Sequence, residues 1–236
     1  MTVESPRIVV AGDDGPVWRA MKVVRVADLS PRIRRITLSG DDLAPFDTLG
    51  QLHVRLSIGE GGSRATRLYT IRRIDVVGGE MDIDFFLHDR PGPAGDWAAR
   101  ARPGVACEIT GPVGRPVLAA DWYIFAGDET ALPAIARILE ALPASAAGVA
   151  VLCVGTREER IGFSHPPGVL VRWVFPSGGE TVGDRLFATV AALVPPTGVT
   201  VFAWAGADAT CIRRLKAHWH MPGTSPLACL AVAYWR

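Results

Sequence analysis

"WYIFAGDETALPAIARILEALP", residues 122–143, joins an almost unbroken apolar run to a segment in which Ile135, Ile138, Leu139 and Leu142 recur at helical spacing. A strand with no polar alternation is one buried on both faces, as in a parallel sheet covered by helices. Three more runs share this texture: "GVAVLCVG" (148–155), "VLVRWVF" (169–175) and "VTVFAWAG" (199–206). Helical patterns follow the first and last of the four runs, in "DETALPAIARILEALP" (128–143) and "ADATCIRRLKAHWH" (207–220), and "VGDRLFATVAALVP" (182–195) follows the third. Strand and helix alternate, which predicts an α/β sheet. In the first helix Asp128 or Thr130 is the expected N-cap, and Pro133 is tolerable in the first turn.

Working back toward the N-terminus, the texture changes. "MKVVRVADL", "IRRITLSG", "LHVRLSIG", "RLYTIRRI", "MDIDFFLH" and "VACEITG" alternate apolar and polar residues, and "EGG", "VGGE" and "RPGPAG" punctuate them. Period-two alternation broken by tight turns predicts antiparallel strands, enough for a small β-barrel. The boundary falls near residues 116–121, giving an N-terminal unit of residues 1–117 and a C-terminal unit of residues 118–236. No internal repeat is visible.

Composition agrees with two ordinary domains. The 236 residues are 49% hydrophobic and 21% charged, a globular balance, and a formal charge of +1 leaves no electrostatic footprint for nucleic acid or an anionic membrane. The start "MTVESPRIVVAGDDGPVWRA" has neither the basic n-region nor the apolar h-region of a secretory signal, and no apolar run is long enough to span a bilayer. A soluble cytoplasmic protein is expected. Cys107, Cys153, Cys211 and Cys229 form no CxxC pair and read as free thiols, three of them in apolar surroundings. Cys211, His218 and His220 match no zinc spacing, so no metal site is expected.

Two segments carry chemistry. "RLYTIRR" (67–73), read as one strand, sets Arg67, Tyr69, Ile71 and Arg73 on one face. That face is either a solvated edge with snorkelling arginines or a cradle offering a guanidinium to a phosphate and a phenol ring to a flat heterocycle. "FFLHDRPGPAGDWA" (85–98) leaves a strand near His88, crosses two glycines and two prolines, and enters a helix with Asp96 as the expected cap. Small residues at a helix N-terminus let backbone N–H groups approach a pyrophosphate.

With "ITGPVG", "FAWAGAD" and the terminal "AYWR", these stretches occur in the order and spacing of the siderophore-interacting proteins, and the chain resembles that family from about residue 18 to its end. The resemblance implies a ferredoxin reductase-like fold: a Greek-key β-barrel for FAD, then a parallel-sheet α/β domain for NAD(P)H. It also implies an FAD-dependent ferric-siderophore reductase, with NADPH, NADH or a ferredoxin as electron donor and Fe(III) as part of the substrate. Arg67 would contact the FAD phosphate, Tyr69 stack on the isoalloxazine and Thr70 reach its N5 side. His88, Gly92, Pro93, Ala94, Gly95 and Trp97 would hold the ribityl and pyrophosphate. Asp128, Glu129 and Thr130 would face the cleft, Arg157 with Arg160 would favour an adenosine 2′-phosphate, and Trp235 with Tyr234 would lie near the nicotinamide side.

Three positions depart from the family pattern. Gly95 replaces a Ser, which implies looser FAD binding; Ala207 replaces a Glu expected in the cleft; Ala233 replaces a Gly. Two rival readings stay open: a flavin or ferredoxin reductase-like oxidoreductase with another acceptor, and a siderophore-binding module without redox function. A monomer or weak dimer is expected.

Overall fold

The computed structural model describes residues 16–59, 65–221 and 228–235. The N-terminal fifteen residues, the "EGG" turn and Arg236 lie outside the described residues. The N-terminal half holds β1 (Arg19–Ser30), β2 (Ile33–Ser39), β3 (His53–Ile58), β4 (Ala65–Thr70), β5 (Arg73–Asp75), β6 (Glu80–Phe86) and β7 (Ala106–Val113), with α1 (Pro93–Arg100) between the last two. Their order in one antiparallel sheet is β4-β3-β7-β1-β2-β6-β5. The two outer strands are consecutive in the chain: the N–H of Ile71 bonds Leu52 on the β3 side, and the N–H of Arg72 bonds Asp82 of β6. The sheet therefore curls back on itself through the Ile71–Arg72 step, which makes it barrel-like.

That step corrects the reading of residues 67–73 as one alternating strand. The strand breaks after Thr70, Ile71 is wholly buried in the barrel core, and Arg73 belongs to β5 and is exposed. Alternation elsewhere works as expected. On β6, Met81, Ile83 and Phe85 enter the core with Val23, Leu38, Val54 and Ile109, while Asp82 and Asp84 turn to the other side. Asp84 is held by Arg35 through two bonds of 2.7 and 2.8 Å.

The C-terminal half holds β8 (Trp122–Gly127), α2 (Leu132–Ala141), β9 (Ala147–Cys153), β10 (Gly168–Val174), α3 (Val182–Ala191), β11 (Val201–Asp208), α4 (Ala209–Trp219) and β12 (Ala228–Trp235). All five strands are parallel, in the order β10-β9-β8-β11-β12. Both faces are covered, as the unbroken apolar runs predicted: Tyr123 and Phe125 pack with α2, and Ile124 and Ala126 pack with α3 and α4. The α2 layer also contains Ile33 and Leu52, so one apolar core is shared by the parallel sheet and the barrel.

Two helix starts differ from expectation. The first turn of α1 begins at Pro93 with Gly92 as N-cap, and Asp96 lies inside that turn. Proline at N1 fixes the entry angle without losing a bonded N–H. Likewise α2 begins at Leu132 after Ala131, because Asp128 accepts from Thr130 N and Thr130 Oγ1 in a turn before the helix rather than capping it. Close packing here depends on small residues: a Cβ at Gly127 would meet Ala131 at 2.9 Å, and one at Gly206 would meet the same Ala131 at 2.9 Å. Among the described residues no helix is long and apolar enough to cross a membrane.

Candidate functional site

In the parallel sheet the strand order reverses between β8 and β11, the place where open α/β sheets bind ligands beyond their strand ends. A cavity of about 320 Å³ opens there, facing the barrel. The barrel supplies Arg67, Tyr69 and Thr70 from β4, His88 from the loop after β6, and Gly92, Pro93, Ala94 and Gly95 from the start of α1. The parallel sheet supplies Glu129 and Thr130 from the turn before α2, and Tyr234 and Trp235 from the end of β12.

Each barrel residue is held for a visible reason. The Tyr69 ring rests on Phe85, centroids 4.3 Å apart, which itself leans on Trp97 at 5.7 Å. Burial pushes the Tyr69 phenol up to about 12, so it stays neutral. Among the described residues Arg67 pairs with no carboxylate and donates only to the Thr66 carbonyl at 2.8 Å, and it stands at the cavity wall. At α1 no side chain caps the helix, so the N–H groups of Ala94 and Gly95 stay available. Burial and then the Arg32 guanidinium hold His88 below its ordinary value.

On the opposite wall, Glu129 has one carboxylate oxygen buried without a partner. Burial and then the Asp128 carboxylate raise it to about 7. Asp128 is buried beneath this wall, where its Oδ2 accepts from Trp235 Nε1 at 2.8 Å. Burial raises Asp128 too, against the hydrogen bonds of Thr130 and Trp235 that lower it.

Three expected site residues do not line the cavity. Trp97 stands behind Phe85 and lines a separate groove beside α1 with Arg100 and Arg102. Asp128 anchors Trp235 instead of facing the cleft. Arg157 sits in a one-turn helix, Arg157–Glu159, with its guanidinium 5.1 Å over the Phe175 ring. Ala207 does not face the cleft either: it is wholly buried with Val151 and Cys211 under α3 and α4, so a carboxylate there would enter an apolar layer.

Gly95 has a local explanation. A Cβ on it would come within 2.9 Å of Pro91 Cβ, so in this loop the glycine and the proline fit one another. Ala233 is exposed and carries no such constraint.

Several contributors escaped the sequence reading. His53 hydrogen-bonds Tyr234 at 2.7 Å, and Asp84 reaches the cavity wall from β6. The doubled Asp of "MDIDFFLH" was a usable signal, since an acid alternating with core residues must meet something. His53 gave none, because its partner lies 181 residues away. Cys107, Cys153 and Cys211 are buried free thiols, Cys229 is half-buried and free, and burial lifts the first three to about 12.

An antiparallel barrel and a parallel sheet sharing a cleft at the strand-order reversal define a ferredoxin reductase-like fold. Ferredoxin-NADP+ reductase from Plasmodium falciparum superposes with a TM-score of 0.69 over 93% of this chain and 96% of its own, at 12% identity, a likeness of fold alone. Family models narrow the class: "Siderophore-interacting FAD-binding domain" matches residues 57–116, and "Siderophore-interacting protein" matches residues 120–236. The siderophore-interacting protein SipS from Aeromonas hydrophila is 31% identical, with a TM-score of 0.81 over 93% of this chain and 91% of that one. Ferric vibriobactin reductase ViuB of Vibrio cholerae is 35% identical over 179 residues, 66% of each chain. The chain belongs to the siderophore-interacting protein family.

Proposed function

We propose that this protein is an FAD-dependent ferric-siderophore reductase, with NAD(P)H or a reduced redox protein as electron donor, residues 1–117 serving FAD and residues 118–236 the donor. The observation that carries the reading is the single cleft in which Arg67, Tyr69, Thr70 and the open start of α1 face Glu129, Thr130 and Trp235. ViuB, a ferric vibriobactin reductase by name, supports the acceptor.

The residues present fit FAD. Arg67 is a cation without a counter-ion among the described residues, the Ala94 and Gly95 N–H groups are uncapped donors at a helix N-terminus, and Tyr69 is a neutral ring backed by Phe85. Phosphate oxygens meet the first two and a planar heterocycle meets the third. When bound, FAD converts a two-electron donor into a source of single electrons. The chain orients rather than reacts: Thr70 presents a hydroxyl beside Tyr69, His88 and Trp235 close one end at 6.2 Å between centroids, and Glu129 offers a carboxyl on the donor side. Arg157 with Arg160 would serve a 2′-phosphate of NADPH. Iron enters as substrate, and because hard oxygen donors hold Fe(III) better than Fe(II), reduction loosens it.

The test is an anaerobic visible spectrum of the FAD-loaded protein, before and after NADPH and then after a ferric siderophore. Bleaching by NADPH and recovery on adding the siderophore are expected. Recovery with free flavin or a quinone but not with a siderophore would move the protein to another reductase class, and no flavin band after incubation with FAD would leave a binding module.

A further inference from the structure

Two helices start at the cleft, and their first turns are built in opposite ways. At α1 the entry is bare: Gly92, Pro93, Ala94 and Gly95 line the cavity, no side chain caps the helix, and a Cβ on Gly92 would meet nothing within 4 Å. At α2 the entry is filled. The Asp128 N–H donates to the Gly206 carbonyl at 3.3 Å, the Thr130 N–H to Asp128 Oδ1 at 2.9 Å and the Ala131 N–H to the Asp128 carbonyl at 3.1 Å. Pro133 has no N–H to give, and the open side of Gly127 and of Gly206 is taken by the Ala131 methyl.

This turn follows β8 at the strand-order reversal, where an open α/β sheet ordinarily lays a dinucleotide's pyrophosphate on backbone N–H groups. Three of those groups are spent inside the protein, and a carboxyl lines the cavity beside them. Glu129 has one oxygen buried there without a partner. A phosphate brings only acceptor oxygens and cannot satisfy it, and an ionised Glu129 repels the phosphate outright. The charge is not balanced nearby. Arg32, the cation that acts on Glu129 from the barrel, is already committed to Asp89 and Glu159, and Asp128 adds a second carboxyl from the same turn.

We propose that Glu129 is a specificity-determining residue that bars phosphate from the start of α2. A dinucleotide donor then meets this wall only with an uncharged part of itself and lodges its phosphates elsewhere, while the phosphates of FAD have the bare entry of α1. This rests on FAD and a dinucleotide sharing the cleft.

Inorganic pyrophosphate, titrated into the 15N-labelled chain without FAD and followed by amide 15N–1H shifts, probes both helix entries at once. In the parent the Ala94 and Gly95 amides should move, and those of Thr130 and Ala131 should stay still. Glu129→Gln keeps the shape and removes the charge. In it the Thr130 and Ala131 amides should respond, with a dissociation constant at that turn at least about tenfold below the parent's, as expected for removing one like charge at close range. Asp41→Asn, the same change of net charge at an exposed position after β2, should leave the turn silent. Movement of Thr130 and Ala131 in the parent, silence of that turn in Glu129→Gln, or an equal response in Asp41→Asn overturns the proposal and leaves the proposed function standing. Silence at Ala94 and Gly95 in the parent removes the phosphate role of α1, and with it the reading on which the proposal rests.

Discussion

The guanidinium of Arg137, in the middle of α2, donates to the Ile71 carbonyl at 2.8 Å and to the Thr48 carbonyl at 2.9 Å, both on the barrel. The side chain is buried, desolvation lowers its pKa, and the two carbonyl acceptors offset the cost of burying the charge. One turn further along α2, Glu140 takes both terminal nitrogens of Arg72 at 2.7 Å. These bonds seize the step where the barrel closes and fix β4 relative to the turn that carries Glu129.

Arg137→Met should therefore cost roughly 2–4 kcal/mol, since two buried carbonyls lose their donor. Urea unfolding measures it. Arg137→Lys should recover part of the loss at most, because an ammonium is a point donor and the guanidinium a fork. A change below about 0.5 kcal/mol would put Arg137 in the class of ordinary surface positions.

Arg67→Ala should leave stability almost unchanged, since among the described residues its side chain bonds only the neighbouring Thr66 carbonyl. FAD affinity should fall by about 1.5–3 kcal/mol, the range for a hydrogen bond to a charged group. Fluorescence titration of the apoprotein reads the dissociation constant directly. An unchanged constant would remove Arg67 from the phosphate role.

Glu129 gives a pH dependence of definite sign. Its folded value, about 7, lies above the ordinary 4.5, so between these values the folded chain holds a proton that the unfolded chain has released. Its contribution to stability is complete below about pH 4.5 and is lost as pH rises through 7, up to about 3 kcal/mol in all. Comparing urea unfolding at pH 5 and pH 8, Glu129→Gln should remove that part of the slope. Equal slopes in parent and variant would show Glu129 to be ionised throughout.

The glycine–proline fit in the α1 loop makes a paired prediction. Gly95→Ser alone should destabilise by about 1 kcal/mol, because its Cβ crowds Pro91 at 2.9 Å. Combined with Pro91→Ala it should fold as well as the parent and bind FAD more tightly through the added hydroxyl. If the single variant already bound FAD more tightly at no thermal cost, the crowding argument would be wrong.

Both halves of the fold were legible because burial writes itself into periodicity. Tyr123 to Ala126 are apolar in succession because each faces a covered side, and Met81, Ile83 and Phe85 alternate with acids because one face meets the barrel core. Arg67 to Thr70 and Gly92 to Gly95 could be placed together because each stretch names its own chemistry. What stayed hidden depends on distant partners. Whether Asp128 caps a helix or holds Trp235 is decided 107 residues away, and the break after Thr70 is decided by Leu52 and Asp82 competing for successive N–H groups. Helix starts shifted by a few residues for a related reason: Pro93 and the Asp128 turn set them, and composition near the ends does not.

The clamp of α2 on the barrel has a consequence for traffic through the cleft. Arg137 and Glu140 grip the same step that closes the barrel, so parting the two walls would break four hydrogen bonds between α2 and the barrel.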